Sequence, residues 1–188
     1  MTPGQQNNSI GEYSGPRNAA YNTNAIGRRA AMFSNSSESI FIGSQAGYRS
    51  QGLYNIVIGS YSVNSSDSLN GAFNTVIGTS TATNLSGSAA MNTIIGSQIS
   101  PPSNTASNQL VISNIIFGTG ASGTGTTIPT GGKVGIKVAT PARDLEVAGE
   151  VRITDLTTDT PTQIVGADAD GDLGAITVGS GLSLSGGT

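Results

Sequence analysis

The acidic run DADGDLG places Asp168, Asp170 and Asp172 at alternate positions. Three carboxylates at i, i+2 and i+4 are oxygen donors of the kind that hold Ca²⁺. A calcium loop of the EF-hand kind also needs glycine at its sixth position and glutamate at its twelfth. Counted from Asp168, those positions hold Leu173 and Gly179. The run therefore reads as a hairpin turn carrying solvated acids, and the three aspartates are a weak metal candidate. Glycoside hydrolysis needs two carboxyl groups facing each other across a groove. Before residue 118 the only acids are Glu12, Glu38 and Asp67, at positions that do not pair within one chain. Histidine and cysteine are absent. The commonest general base and the thiolate metal ligands are therefore missing. No catalytic residue, cofactor or enzymatic activity is expected.

A second group is aromatic and basic. Tyr13, Tyr21, Tyr48, Tyr54 and Tyr61 fall in the same stretch as Arg28, Arg29 and Arg49. Rings beside amides can bind sugars, but residues of these types also serve at corners and chain-to-chain contacts. The second use is the one favoured here. The net charge is −3 and no basic cluster exists, so phosphate-mediated nucleic-acid binding has no support. No apolar run is long enough to cross a bilayer as a helix, so membrane insertion is not expected. The N-terminus, MTPGQQNNSIG, has neither a basic nor an apolar segment of the secretory kind.

The elements that carry these residues follow from a repeat. An Ile-Gly pair ends at Gly11, Gly27, Gly43, Gly59, Gly78 and Gly96, with spacings of 16, 16, 16, 19 and 18. The preceding isoleucines are Ile10, Ile26, Ile42, Ile58, Ile77 and Ile95. Four residues before each glycine stand Asn7, Thr23, Ser39, Asn55, Asn74 and Asn92. NIIFGTG, with Phe117 and Gly118, reads as a further degenerate copy. A fixed step of this length marks stacked repeats. Each copy reads as a short strand with a turn at the glycine and a second, weaker strand such as SQAGY, SYSV or TSTAT. Coils stacked about 4.8 Å apart would align the Asn, Ser and Thr side chains in a polar ladder. So narrow a coil turns only one or two apolar side chains inward. The isoleucine column then needs burial against other chains, and a homotrimer around a shared core is the economical arrangement.

Charge resumes after Gly132 with Lys133, Lys137, Arg143, Asp144 and Glu146. The expected division is a β-roll shaft over 1–118, a Gly/Thr-rich linker over 119–132, and a β-strand and hairpin module over 133–188. In that module KVGIKV and LEVAGEVRI alternate as strands, and TQIVGADADGDLGAITV reads as a hairpin. The closing GSGLSLSGGT reads as a fragment boundary or as a strand whose continuation is missing. The expected fold class is all-β: a repetitive parallel β-roll or solenoid, intertwined as a homotrimer, with a small β-rich C-terminal module.

The pattern Asn-(Ser/Thr)-x-Ile-Gly over residues 7–118 resembles the head repeats of trimeric autotransporter adhesins, which are left-handed parallel β-rolls. It resembles equally the NTAIGxxA-type repeats of phage tail fibres. KVGIKVATPARDLEVAGEVRITDL, through Val134, Gly135, Ile136, Pro141, Leu145, Val147 and Gly149, is similar to a segment that follows the repeat shaft of tail fibres. Lys137 and Val138 depart from the Gly-Thr usual there. The resemblance implies a structural virion fibre segment, outside the particle, joined to other tail or baseplate proteins and reaching toward a host-surface glycan or protein. The alternatives are an adhesin head on a bacterial cell surface and a polysaccharide-degrading tailspike.

Overall fold

The protein is described here from a computed structural model, for residues 6–16, 20–64, 69–120, 122 and 129–151, together with the backbone of 164–167 and 173–176. Among these residues every regular element is a β-strand. Contacts divide the chain into two units, Met1–Glu150 and Val151–Thr188.

The first unit is a parallel β-solenoid. Each coil contributes one three-residue strand: β1 (Asn8–Ile10), β2 (Asn24–Ile26), β3 (Ile40–Ile42), β4 (Ile56–Ile58), β5 (Thr75–Ile77), β6 (Thr93–Ile95) and β7 (Leu110–Ile112). Seven strands stacked in chain order enclose about six turns. The register keeps every pre-glycine isoleucine beside the next: Ile10 with Ile26, Ile42 with Ile58, Ile77 with Ile95. It holds across coils of unequal length, since Ile58 pairs with Ile77 as Ile42 does with Ile58.

The second strand expected in each coil is absent. SQAGY, SYSV and TSTAT form stacked turns. Two residues after each coil's glycine the backbone is left-handed, at Tyr13, Arg29, Gln45, Tyr61, Ser80 and Gln98. Four residues after it, Ala31, Val63 and Ala82 are left-handed again, with Gly15 and Gly47 in the equivalent places. Positive φ at every other residue cannot continue a pleated strand. Coil-to-coil bonds persist through the turns, as in Gln45 N–H to Arg28 C=O and Tyr61 N–H to Ser44 C=O, both 2.8–2.9 Å.

The seventh rung also differs from the sequence reading. It is Gln109–Ser113, with Ile112 paired to Ile95 and Ser113 in the glycine place. NIIFGTG is the return strand β8 (Ile116–Thr119), antiparallel to β7. Ser113 and Asn114, both at positive φ, form the reversing turn closed by Ile115 N–H on Ile112 C=O. β9 (Lys133–Ile136) pairs antiparallel with β8, and β10 (Leu145–Val147) pairs parallel with β9. All ten strands form one sheet in chain order, so β9 and β10, beyond the 119–132 segment, belong to the first unit. In the second unit, β11 (Ile164–Ala167) and β12 (Leu173–Ile176) form an antiparallel pair.

The coil encloses more apolar matter than the expected one or two side chains. Ala25, Phe41, Val57, Val76, Ile94 and Val111 form one fully buried column on the inner face of the sheet. Facing positions complement it. Phe41 lies against Gly47, where a Cβ would sit 2.1 Å from the Phe41 ring. Val57 and Val76, which are smaller, belong to coils with Val63 and Ala82 in the corresponding place. Leu69 and Leu85, buried at 1% and 0%, add bulk where the coils are longer. The largest inner side chain, Phe41, thus meets the smallest partner, Gly47, and the column is buried within a single chain.

Candidate functional site

Two columns of sequence-singled residues lie on opposite sides of the sheet. The inward one is polar. Asn7, Thr23, Ser39, Asn55, Asn74 and Asn92 stack beneath the strands, and from Thr23 onward they are buried. Thr23 Oγ1 donates to Ser36 C=O at 2.8 Å, and every other side-chain oxygen of the column accepts from the coil that follows. Thr23 N–H donates to Asn7 Oδ1 at 2.9 Å, and Asn55 N–H to Ser39 Oγ at 3.0 Å. In the asparagine run the side-chain amide joins in. Asn74 N–H and Nδ2 both donate to Asn55 Oδ1, at 2.9 and 3.0 Å. Asn92 repeats this on Asn74 Oδ1, at 3.1 and 3.0 Å. The remaining amide hydrogens reach turn carbonyls, as in Asn74 Nδ2 to Ala89 C=O at 2.9 Å. Such a ladder satisfies the backbone N–H of Thr23, Asn55, Asn74, Asn92 and Gln109 where no water reaches it.

Gln109 is the rung that the sequence reading missed. Its N–H donates to Asn92 Oδ1 at 2.9 Å. Its own Oε1 turns back and accepts from Ser103 N–H, six residues earlier, at 3.0 Å. The longer side chain closes the ladder within its own coil. The signal was present: Gln109 stands four residues before Ser113, as Asn92 stands before Gly96.

The glycine column marks a close backbone approach. A Cβ on Gly59 would lie 2.1 Å from Gly78 C=O, and one on Gly78 would lie 1.6 Å from Gly96 C=O. The φ angles of +134° and +133° are closed to other residues in any case.

The outward column is apolar. Ile42, Ile58, Ile77 and Ile95 are 36–38% exposed although the residue before each is at 0%. Ile10 is more open and Ile26 half-buried. Ile40 and Ile56 lie two residues earlier on the same strand face. Along one margin run Tyr54, Phe73 and Met91, each preceding a ladder residue and each at positive φ. Tyr54 and Phe73 stack at 4.9 Å with planes 10° apart. The apolar surface is thickest over residues 40–95. Toward the first coils it gives way to Asn8, Asn24 and the Asn22–Glu38 hydrogen bond.

The tyrosine and arginine set is dispersed. Tyr13 and Tyr61 lie two residues after their glycines, and Tyr54 lies at the opposite end of its strand. Tyr48 packs edge-on to Phe33 at 5.2 Å and has Arg49 over its ring. Because Tyr54 and Phe73 cover each other's faces, they do not form a side-by-side platform for a sugar ring. Glu12 and Glu38 flank opposite ends of the strand column. Asp67, Asp168, Asp170 and Asp172 lie outside the described residues. Among the described residues no three carboxylates gather into a cation site. A shallow apolar recess of about 260 Å³ beside β7–β9 is lined by Leu110, Pro129 and Val134, with Lys133 its only ionisable group. Comparison with protein-family models, curated proteins and solved structures gives no match.

Proposed function

We propose that the chain is a shaft segment of a trimeric external fibre, of the kind carried by phage tails. Its role is to give reach and stiffness between a virion and a host surface. The observation that carries this reading is the outward isoleucine face. The coil already buries a complete apolar column inside one chain, so folding alone gives no reason for a second column outside. An ordered apolar strip of this length on a soluble rod marks an interaction surface. Three rods around a common axis would cover all three strips in one closed assembly. Ile10, Ile26, Ile42, Ile58, Ile77 and Ile95 are then the shared core. The glycines set the coil turn and the polar ladder keeps the register.

Sedimentation equilibrium tests this. The expected mass is three times the 18.8 kDa of one chain. A folded particle of single-chain mass at micromolar concentration would remove the shared core, and with it the fibre reading.

A further inference from the structure

The isoleucine strip has two margins, and each is a regular column. The trailing margin follows the glycines: Tyr13, Arg29, Gln45, Tyr61, Ser80 and Gln98. The leading margin precedes the ladder residues: Asn22, Glu38, Tyr54, Phe73, Met91 and Asn108. All of them are at positive φ. Coil-to-coil bonds fix their spacing, as in Arg29 N–H to Glu12 C=O and Asn108 N–H to Ala90 C=O.

The two margins differ in a matched way. The trailing one carries a cation at Arg29, an exposed ring at Tyr61 and an exposed amide at Gln98. The leading one carries an anion at Glu38, the Tyr54–Phe73 stack and an amide at Asn108. Among the described residues two shielded side-chain polar atoms lack a partner. They are Arg29 Nε, a donor on the trailing margin, and Asn108 Oδ1, an acceptor on the leading one. Polar atoms shielded from water are rarely left so. Both residues keep part of their surface open, so a group from outside the chain can reach them. Glu38 engages its own chain through Oε1, which accepts from Asn22 Nδ2 at 2.8 Å. Within one chain Arg29 and Glu38 stand at opposite ends of the strands and do not meet.

Chains set around one axis bring unlike margins together, because a rotation that closes a ring joins two different patches. Each trailing margin then faces the leading margin of the next chain. The coil climbs about 4.8 Å per turn, so the trailing end of one rung stands between the leading ends of the same rung and the next. Arg29 is thereby level with Asn22 and Glu38 of the next chain, Tyr61 with Tyr54 and Phe73, and Gln98 with Met91 and Asn108. Cation meets anion, ring meets rings, and amide meets the orphaned amide oxygen, all at one stagger. We infer that these margins bind each other between copies of this chain, with Arg29 paired to Glu38 of the next chain and Gln98 to its Asn108. Resting on the trimeric reading above, this lateral contact adds what the uniform isoleucine column cannot give: a fixed height and direction for each neighbour. Opposite charges at set heights disfavour a slipped or reversed chain.

Charge reversal tests the first pair. Sedimentation equilibrium on dilution reads the association constant of the natural chain, Arg29→Glu, Glu38→Arg and the double reversal, at low ionic strength where exposed charges are least screened. Each single reversal sets like charges against each other at every interface and should weaken association by about tenfold or more. The double reversal restores opposite charges and should recover most of that loss. No contact within one chain would give this recovery, since the two residues do not meet there. Cross-linking tests the second pair without touching a charge. The chain has no cysteine, so Gln98→Cys and Asn108→Cys together supply its only thiols. A short bismaleimide should then link the chains into trimers on a denaturing gel. Either cysteine alone should link none, because like positions stand apart around the axis. Folded single reversals that associate as tightly as the natural chain overturn the inference, and so does a double reversal that recovers nothing. Equal linking by one cysteine and by two also overturns it. A natural chain that stays monomeric loses the shared core together with these contacts, whereas a trimer indifferent to every change loses the contacts alone.

Discussion

Replacing Asn74 tests the polar ladder at its most connected rung. Asn74 is fully buried. Truncation to alanine removes Oδ1, the acceptor of Asn92 N–H at 3.1 Å, and Nδ2, the donor to Ala89 C=O at 2.9 Å. Other partners keep a bond: Asn55 Oδ1 still accepts from Asn74 N–H, Gly71 C=O from Asn55 Nδ2, and Asn92 Nδ2 still reaches Ala106 C=O. Two backbone groups are thus orphaned in a dry interior, at about 1–3 kcal/mol each. The expected loss is about 4 kcal/mol, which for a chain of this size lowers the melting midpoint by about 8–16 °C. Asn74→Ser is the informative partner. Serine nearly matches alanine in volume, yet its hydroxyl can accept from Asn92 N–H, as Ser39 Oγ accepts from Asn55 N–H. It leaves only Ala89 C=O unpaired and should lose about half as much. Urea unfolding followed by far-UV circular dichroism measures both. Equal losses for alanine and serine, or a smaller loss for alanine, would refute the ladder as the source of stability at this rung.

Other positions give independent checks. Ile58→Asp should abolish association in the ultracentrifuge while leaving the β spectrum intact, because a charge placed in a dry shared core is heavily penalised; a stable trimer with aspartate there would put Ile58 elsewhere. Gly78→Ala and Gly87→Ala both sit at positive φ, but only at Gly78 does the new Cβ strike a neighbouring carbonyl. The first should prevent folding or cost several kcal/mol, the second about 1 kcal/mol, measured by denaturant midpoint; similar losses would deny the close approach of the coils. Phe41→Ala should cost about 3–5 kcal/mol in the same assay, since the ring is buried against Gly47 and the stacked backbone cannot close the void. A loss below about 1 kcal/mol would mean that the coil interior is loosely packed.

What the sequence made legible was whatever a coil must repeat. Isoleucine, glycine and the Asn/Ser/Thr position recur because each meets its own copy one coil away. The inner column was harder to read. Ala25, Phe41 and Val57 differ in size, so no single residue type marks the column. The second strand was misread because alternation in SYSV looks extended, whereas Tyr61 and Val63 hold left-handed φ angles of 60° and 47°. The seventh rung escaped notice because its glycine is gone. After β7 the chain reverses instead of stacking another parallel coil, so Ser113 has no following coil of the kind that crowds Gly59 and Gly78. The next apolar residue-glycine pair of the repeat kind, Phe117–Gly118, lies in the return strand.

The unequal coil lengths have a consequence of their own. Steps of 16, 19 and 18 residues all end in the same strand register, so the added residues are absorbed away from the sheet. Changes of length are therefore tolerated between the stacked turn and the next strand, and costly across the strand, its glycine and the turn that follows. A lineage carrying this repeat can change the length of a coil while its spine stays fixed.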